Sequence, residues 1–183
     1  MARPLLVSFI SGVSGLWHID RIDTVIGDGL PSAERLDVVE GRDSDANGVS
    51  LWTLRGFTSN SRYTNRSEAD ALLAKQPPLG RPQATRAALI PIRKTDAWWD
   101  LSQDERRDIF EEQSSHISFG LNLPAIARRL HHSRDLTEPF DFLTWFEYAP
   151  EHSDAFEELV RRLRETREWQ YVDREVDIRL IRA

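Results

Sequence analysis

His116 and the cation pair Arg128–Arg129 are the side chains of this chain best suited to chemistry, because so little competes with them. The sequence has no cysteine, five histidines, and a single methionine at position 1. A metal ion would therefore find imidazole and carboxylate here, and no thiolate. His116 ends a well-marked helical pattern, and Arg128 follows it twelve residues later. A guanidinium is always charged, presents a planar fork of donors and cannot act as a base. Set against a histidine-bound metal, it would hold a small anion there. A histidine at a helix C-terminus also serves simply to neutralise the helix dipole, so spacing alone leaves both roles open. His131 and His132 are adjacent, diverge on a helix and read as structural, while His18 and His152 carry no signal.

The elements that must position these residues follow from periodicity. Strand patterns cover residues 5–10, 16–26, 49–58 and 84–93, the second with half-buried alternation at Trp17, Ile19 and Ile22. Residues 28–48, rich in Asp, Gly and Ser, read as loop. A short helix over 67–75 has Ser67 as its N-cap and stops at Pro77-Pro78. Ser102-Gln-Asp-Glu105 is a capping box opening a charged helix that runs to about Ser115, with Ile109 and Phe110 inward. Pro124 suits the first turn of a second helix carrying Ile126 and Leu130 on one face, on which Arg128 and Arg129 would point roughly 100° apart. Residues 140–148 alternate as a strand, 154–166 form a helix striped by Phe156, Leu159, Val160 and Leu163, and 171–182 close with a strand. That strand sets Val172, Val176, Ile178 and Leu180 against Asp173, Glu175, Asp177 and Arg179. The second half thus reads as a ferredoxin-like α+β unit.

Composition narrows the class. With 183 residues, 40% hydrophobic and 30% charged, the chain is an ordinary globular protein of one large domain or two small repeats. A net charge of −6 argues against a nucleic-acid surface, and it requires that any anionic substrate be drawn in by a local cationic pocket. The absence of cysteine excludes disulfides, iron–sulfur clusters and covalent haem attachment. No run approaches the roughly 20 apolar residues of a membrane span. Residues 4–10 are apolar, but no small-residue cleavage site follows, so they read as a first strand and the expected compartment is the cytoplasm.

Three stretches carry a resemblance: Arg86-Ala-Ala-Leu-Ile-Pro-Ile-Arg-Lys-Thr-Asp-Ala-Trp-Trp99, Leu123-Pro-Ala-Ile-Ala-Arg-Arg-Leu-His-His-Ser133 and Pro139-Phe-Asp-Phe-Leu-Thr-Trp-Phe-Glu-Tyr-Ala-Pro150. Together they resemble the chlorite dismutase family, in particular its short-chain branch. The resemblance implies two ferredoxin-like halves, 1–80 reduced and 81–183 haem-binding, forming an antiparallel β-barrel with outer helices, as in the dimeric αβ-barrel superfamily. It implies a haem b enzyme that converts chlorite to chloride and dioxygen, and a homodimer with neither membrane nor nucleic-acid partner. His116 becomes the proximal iron ligand, and Glu168 its hydrogen-bonding carboxylate, with Glu165 the local competitor. Arg128 overhangs the distal face, and Gln76 hydrogen-bonds that arginine. Lys94 and Tyr63 match residues near the haem propionates and edge, and of the pair Trp98–Trp99 we assign Trp99 to the haem.

One departure from the family pattern bears on the arginine. The family carries an aromatic before Leu-Pro that is missing here, where Asn122 directly precedes Leu123. Counting from His116 selects Arg129; aligning on Leu123-Pro124, Leu130 and His132-Ser133 selects Arg128. The downstream motif is the better guide, because a loop absorbs a deletion and a regular element does not. Two other functions are compatible with the superfamily: a coproheme decarboxylase, whose members usually lack the distal arginine, and a haem-binding protein with incidental peroxidase activity.

Overall fold

The computed structural model of the chain describes residues 4–41, 50–58, 77–109 and 126–183. His116, Gln76, Tyr63, the expected helix over 67–75, and the helical continuation past Ile109 lie outside the described residues.

Eight strands close into an antiparallel barrel: β1 (Leu6–Gly12), β2 (Trp17–Ile26), β3 (Arg35–Glu40), β4 (Thr53–Thr58), β5 (Arg86–Lys94), β6 (Ala127–His132), β7 (Phe142–Tyr148) and β8 (Val172–Arg182). Around the barrel they run β1-β3-β2-β8-β5-β7-β6-β4. Within each set of four the order across the sheet is fourth, first, third, second, the strand order of a ferredoxin-like unit. Among the described residues three α-helices accompany the strands: α1 (Asp96–Asp100), α2, helical over 103–109, and α3 (Ser153–Arg164).

Alternation along the strands builds two cores. Inward residues such as Phe9, Trp17, Leu54, Leu89, Trp145 and Ile178 fill the barrel. Outward residues Ile90, Ile92, Phe142, Phe146 and Tyr148 form a second cluster with Phe156 and Val160 of α3. The Tyr148 and Phe156 rings stack with centroids 4.4 Å apart. Gly56 is needed where β4 meets β6, since a Cβ there would lie 2.7 Å from the Cβ of His131. Pro91 has no N–H to give, and the β5–β8 ladder lapses between Leu89 and Ile92.

Several expectations are corrected. Residues 28–48 are not all loop: β3 lies within them and pairs with β1 from Val7↔Glu40 to Gly12↔Arg35. The expected helix after Pro124 is strand β6, which fills the gap between β7 and β4. Its Arg-Arg-Leu-His-His run has no strong pattern of its own, and the demand for barrel closure decides it. Residues 96–100, which follow the strand pattern without a reading of their own, make the short helix α1. The polar face expected on β8 is not solvated, because α3 lies over it. Glu175, Asp177 and Arg179 are buried, and Arg164 of α3 reaches Glu175 at 2.7 Å and Asp177 at 2.8 Å. By contrast the Ser102–Glu105 capping box is formed as read, with Ser102 N–H donating to Glu105 Oε2 at 2.8 Å and Glu105 N–H to Ser102 Oγ at 3.2 Å.

Inside the barrel, His131 is fully buried. Arg129 Nε donates to its Nε2 at 3.1 Å, so Nε2 must accept and the proton sits on Nδ1, 3.0 Å from the Leu143 carbonyl. Burial holds its pKa down at about 4. The unfolded chain binds this proton from about pH 6.5, while the native state resists it until about pH 4. Stability must therefore fall as the pH drops through that window, by about 3 kcal/mol in all. Urea unfolding between pH 7 and 4.5 should show this slope, and His131→Gln should flatten it; an unchanged slope in the variant would remove His131 as its cause.

Candidate active site

The outer face of β5, β7 and β6 is where the chemically able residues gather. Directly paired residues share a face of the sheet. Arg128 pairs with Phe146, Leu130 with Thr144 and His132 with Phe142, which puts these β6 side chains on the outer, apolar face. Arg129 pairs with Trp145 and His131 with Leu143, both in the barrel interior. The two arginines thus leave the sheet on opposite sides, not 100° apart as a helix would set them. Arg129 is engaged, with Nη1 on Glu40 Oε1 and Nε on His131. Arg128 makes no hydrogen bond or ion pair among the described residues. Burial pushes its guanidinium down from its ordinary pKa, opposed by the field of Glu168, which acts on it without contact.

Glu168 and Lys94 form the opposite pole of this face. Opposite Arg93 and Lys94 the pairing skips Asp173 of β8, and such irregularities re-aim the side chains beside them. Lys94 pairs with Val172 at the start of β8, and Thr95 N–H donates to the Tyr171 carbonyl at 2.8 Å. The one-turn 3₁₀ segment Arg167–Tyr171 is thereby laid against the end of β5. Trp169 Nε1 donates to Glu175 Oε2 at 2.7 Å and pins the turn to β8. Lys94 Nζ then meets Glu168 Oε1 at 2.6 Å, the lysine 3% and the glutamate 4% exposed. This is no solvated strand-end cation. Desolvation lowers the Lys94 pKa, against the pull of the Glu168 charge. The Trp98 ring centroid lies 4.4 Å from the ammonium.

The second oxygen of Glu168 is the informative atom. Oε2 is buried and has no hydrogen-bond partner among the described residues. An unsatisfied buried carboxylate oxygen costs about 1–3 kcal/mol or more, so it is built to receive a donor. Glu165 cannot compete for this role, since its side chain is 62% exposed and bound to Arg161.

The tryptophans divide. Trp98 is buried beside Lys94 and Tyr171, while Trp99 is half-buried, lies nearly parallel to Phe142 at 6.1 Å and packs on the outer cluster. Asp141 and Arg134 are the neighbours that sequence reasoning passed over. The Arg134 guanidinium sits 3.6 Å from the Trp99 ring centroid. Asp141 is buried between Phe140 and Phe142, and an acid flanked by two aromatics in a strand was a legible signal.

Among the described residues no group of three His, Asp or Glu side chains converges as a bare ion would need. Nor is any helix there long and apolar enough to cross a membrane. What the face offers, among the described residues, is an apolar floor, a half-buried cation with no partner there, and a lysine-held carboxylate with one oxygen to spare.

Known proteins share this architecture. The family profile described as Chlorite dismutase matches residues 45–182. The crystal structure of dimeric chlorite dismutases from Nitrobacter winogradskyi is 56% identical, with a TM-score of 0.88 over 97% of this chain and 99% of that one. A mutant chlorite dismutase from Candidatus Nitrospira defluvii, 19% identical, matches in fold with a TM-score of 0.72 over 100% of this chain and 93% of that one. With the profile spanning most of the sequence and a relative of this identity spanning nearly all of it, the chain belongs to the chlorite dismutase family and is a chlorite-degrading enzyme.

Proposed function

We propose that the chain binds haem b and converts chlorite to chloride and dioxygen. The observation that carries this reading is the spare oxygen of Glu168. A metal-ligating histidine normally donates its other ring N–H to a carboxylate, and this oxygen is a buried acceptor fixed in place by Lys94. A macrocycle brings most of its own ligands, so one axial histidine suffices, and we assign His116 to that position. The haem, when bound, supplies the iron redox chemistry.

The chain's own residues do the rest. Glu168 orients the His116 ring and makes it more basic. Arg128 attracts chlorite through charge and holds it by paired N–H donors, then retains the chlorine-bearing fragment until the O–O bond has formed. With no ion-pair partner among the described residues, its guanidinium is set to take up an anion. Gln76 is assigned to hydrogen-bond this arginine. Phe142, Phe146 and Leu130 keep water from the pocket, where the arginine's charge then acts more strongly. Trp99 and Tyr63 are assigned to the haem edge, and Lys94 is read as acting through Glu168.

An oxygen electrode tests this directly: chlorite added to haem-loaded protein should yield one dioxygen per chlorite. Haem uptake without oxygen release would leave a haem-binding protein instead. We also propose a homodimer, supported by the relative described as dimeric. Light scattering should then give twice the 21.1 kDa chain mass, and a monomer would count against it.

A further inference from the structure

We propose that Asp141 is the positioning residue of this site, fixing both the end of β5 from which Lys94 reaches Glu168 and the indole of Trp99. The inference rests on the haem-site reading above and extends it one layer outward.

Asp141 stands at the junction of three elements. Its N–H donates to the Ile92 carbonyl at 2.9 Å, and its own carbonyl receives Ser133 N–H at 2.9 Å, tying β5 to the end of β6. Its Oδ2 accepts the Lys94 N–H at 2.7 Å. That N–H lies where the β5–β7 ladder has already ended at Ile92↔Phe142, so without the carboxylate it would be a buried orphan. Trp99 lies beside the same carboxylate, with the Arg134 guanidinium over its ring.

One carboxylate therefore decides two orientations. Lys94 can direct its ammonium at Glu168 only while its backbone N–H is held by Asp141. Trp99, stacked on Phe142, takes its second neighbour from the same acid. Burial raises the Asp141 pKa, but the Lys94 N–H, the Trp99 N–H and Arg134 all oppose that rise.

The test compares Asp141→Ala, Asp141→Asn and Glu168→Gln in the haem-loaded protein. Resonance Raman of the ferrous iron–histidine stretch reads the axial ligand, and the indole ¹⁵N–¹H resonance of Trp99 reads the second arm. Glu168→Gln should lower the stretching frequency, and Asp141→Ala should lower it by about half as much, as expected one shell further out. Asp141→Asn should keep the frequency near that of the parent, since its side-chain oxygen still accepts the Lys94 N–H. It should nevertheless displace the Trp99 resonance, because an amide cannot serve both donors as a carboxylate does. A merely destabilising substitution would move neither signal in this pattern. If Glu168→Gln shifts the stretch and Asp141→Ala does not, the Asp141 proposal fails alone. If Glu168→Gln is silent, the haem-site reading fails and takes the proposal with it. Should Asp141→Ala not fold, an unmoved Trp99 resonance in Asp141→Asn overturns the proposal by itself.

Discussion

His116→Ala should abolish tight haem retention, leaving protein that passes a desalting column without its Soret band. The expectation does not rest on His116 alone. The sequence has no cysteine, and its only methionine is at position 1, so a replacement ligand would have to be another histidine. His131 is spoken for inside the barrel, between Arg129 and the Leu143 carbonyl. His132 is on the outer face but packs edge-on against Phe142, at 5.2 Å. The parent should bind one haem per chain, as read by pyridine haemochrome against protein concentration. His131→Ala should lower stability while keeping haem, because it empties a packed interior site. Retention in His116→Ala combined with loss in His132→Ala would move the axial ligand to the sheet, and the role assigned to Glu168 would go with it.

How far the sequence could be read is clearest at β6. Its neighbours were legible because they obey local rules: β7 and β8 alternate, and the α2 capping box is complete in four letters. Residues 127–132 do not. Arg-Arg-Leu-His-His has no clear period of two, and a preceding proline is as compatible with a helix start as with an extended entry. What makes this segment a strand is the open edge between β7 and β4, a long-range demand that no local window contains. β3 escaped notice for a similar reason, being six residues inside a loop-like composition.

The buried acids tell the complementary story. Glu175 and Asp177 stand on the charged face of β8, yet both are buried against Arg164 of α3, a contact that the strand's own pattern does not contain. Lys94 and Glu168 could be chosen only by resemblance. Their contact spans 74 residues and depends on a bulge and a 3₁₀ turn. The resemblance also chose between two adjacent arginines by aligning on the downstream motif. The helix assumed for that choice is a strand, on which the two arginines face opposite sides of the sheet.

Arg128→Ala should keep its haem and lose its hold on the anion. Chlorite turnover should fall, and hypochlorite should escape into solution and bleach the enzyme faster. A charge-assisted hydrogen bond of this kind is worth roughly 1.5–3 kcal/mol, or about one to two decades in rate or retention. Arg128→Lys should recover only part of this, since a lysine brings the charge without the planar fork. Arg129→Ala makes the opposing case. Its side chain faces the barrel interior, where it binds Glu40 and His131, so its removal should cost stability and weaken the hold on neutral His131 without releasing hypochlorite. A chlorination-sensitive dye in the assay separates the two variants, and urea unfolding of each supplies the second axis. Leakage should follow Arg128→Ala, and loss of stability should follow Arg129→Ala. Leakage from Arg129→Ala with a tight Arg128→Ala would mean that β6 is shifted by one residue in the working enzyme, because a slip of one exchanges the two faces of a strand.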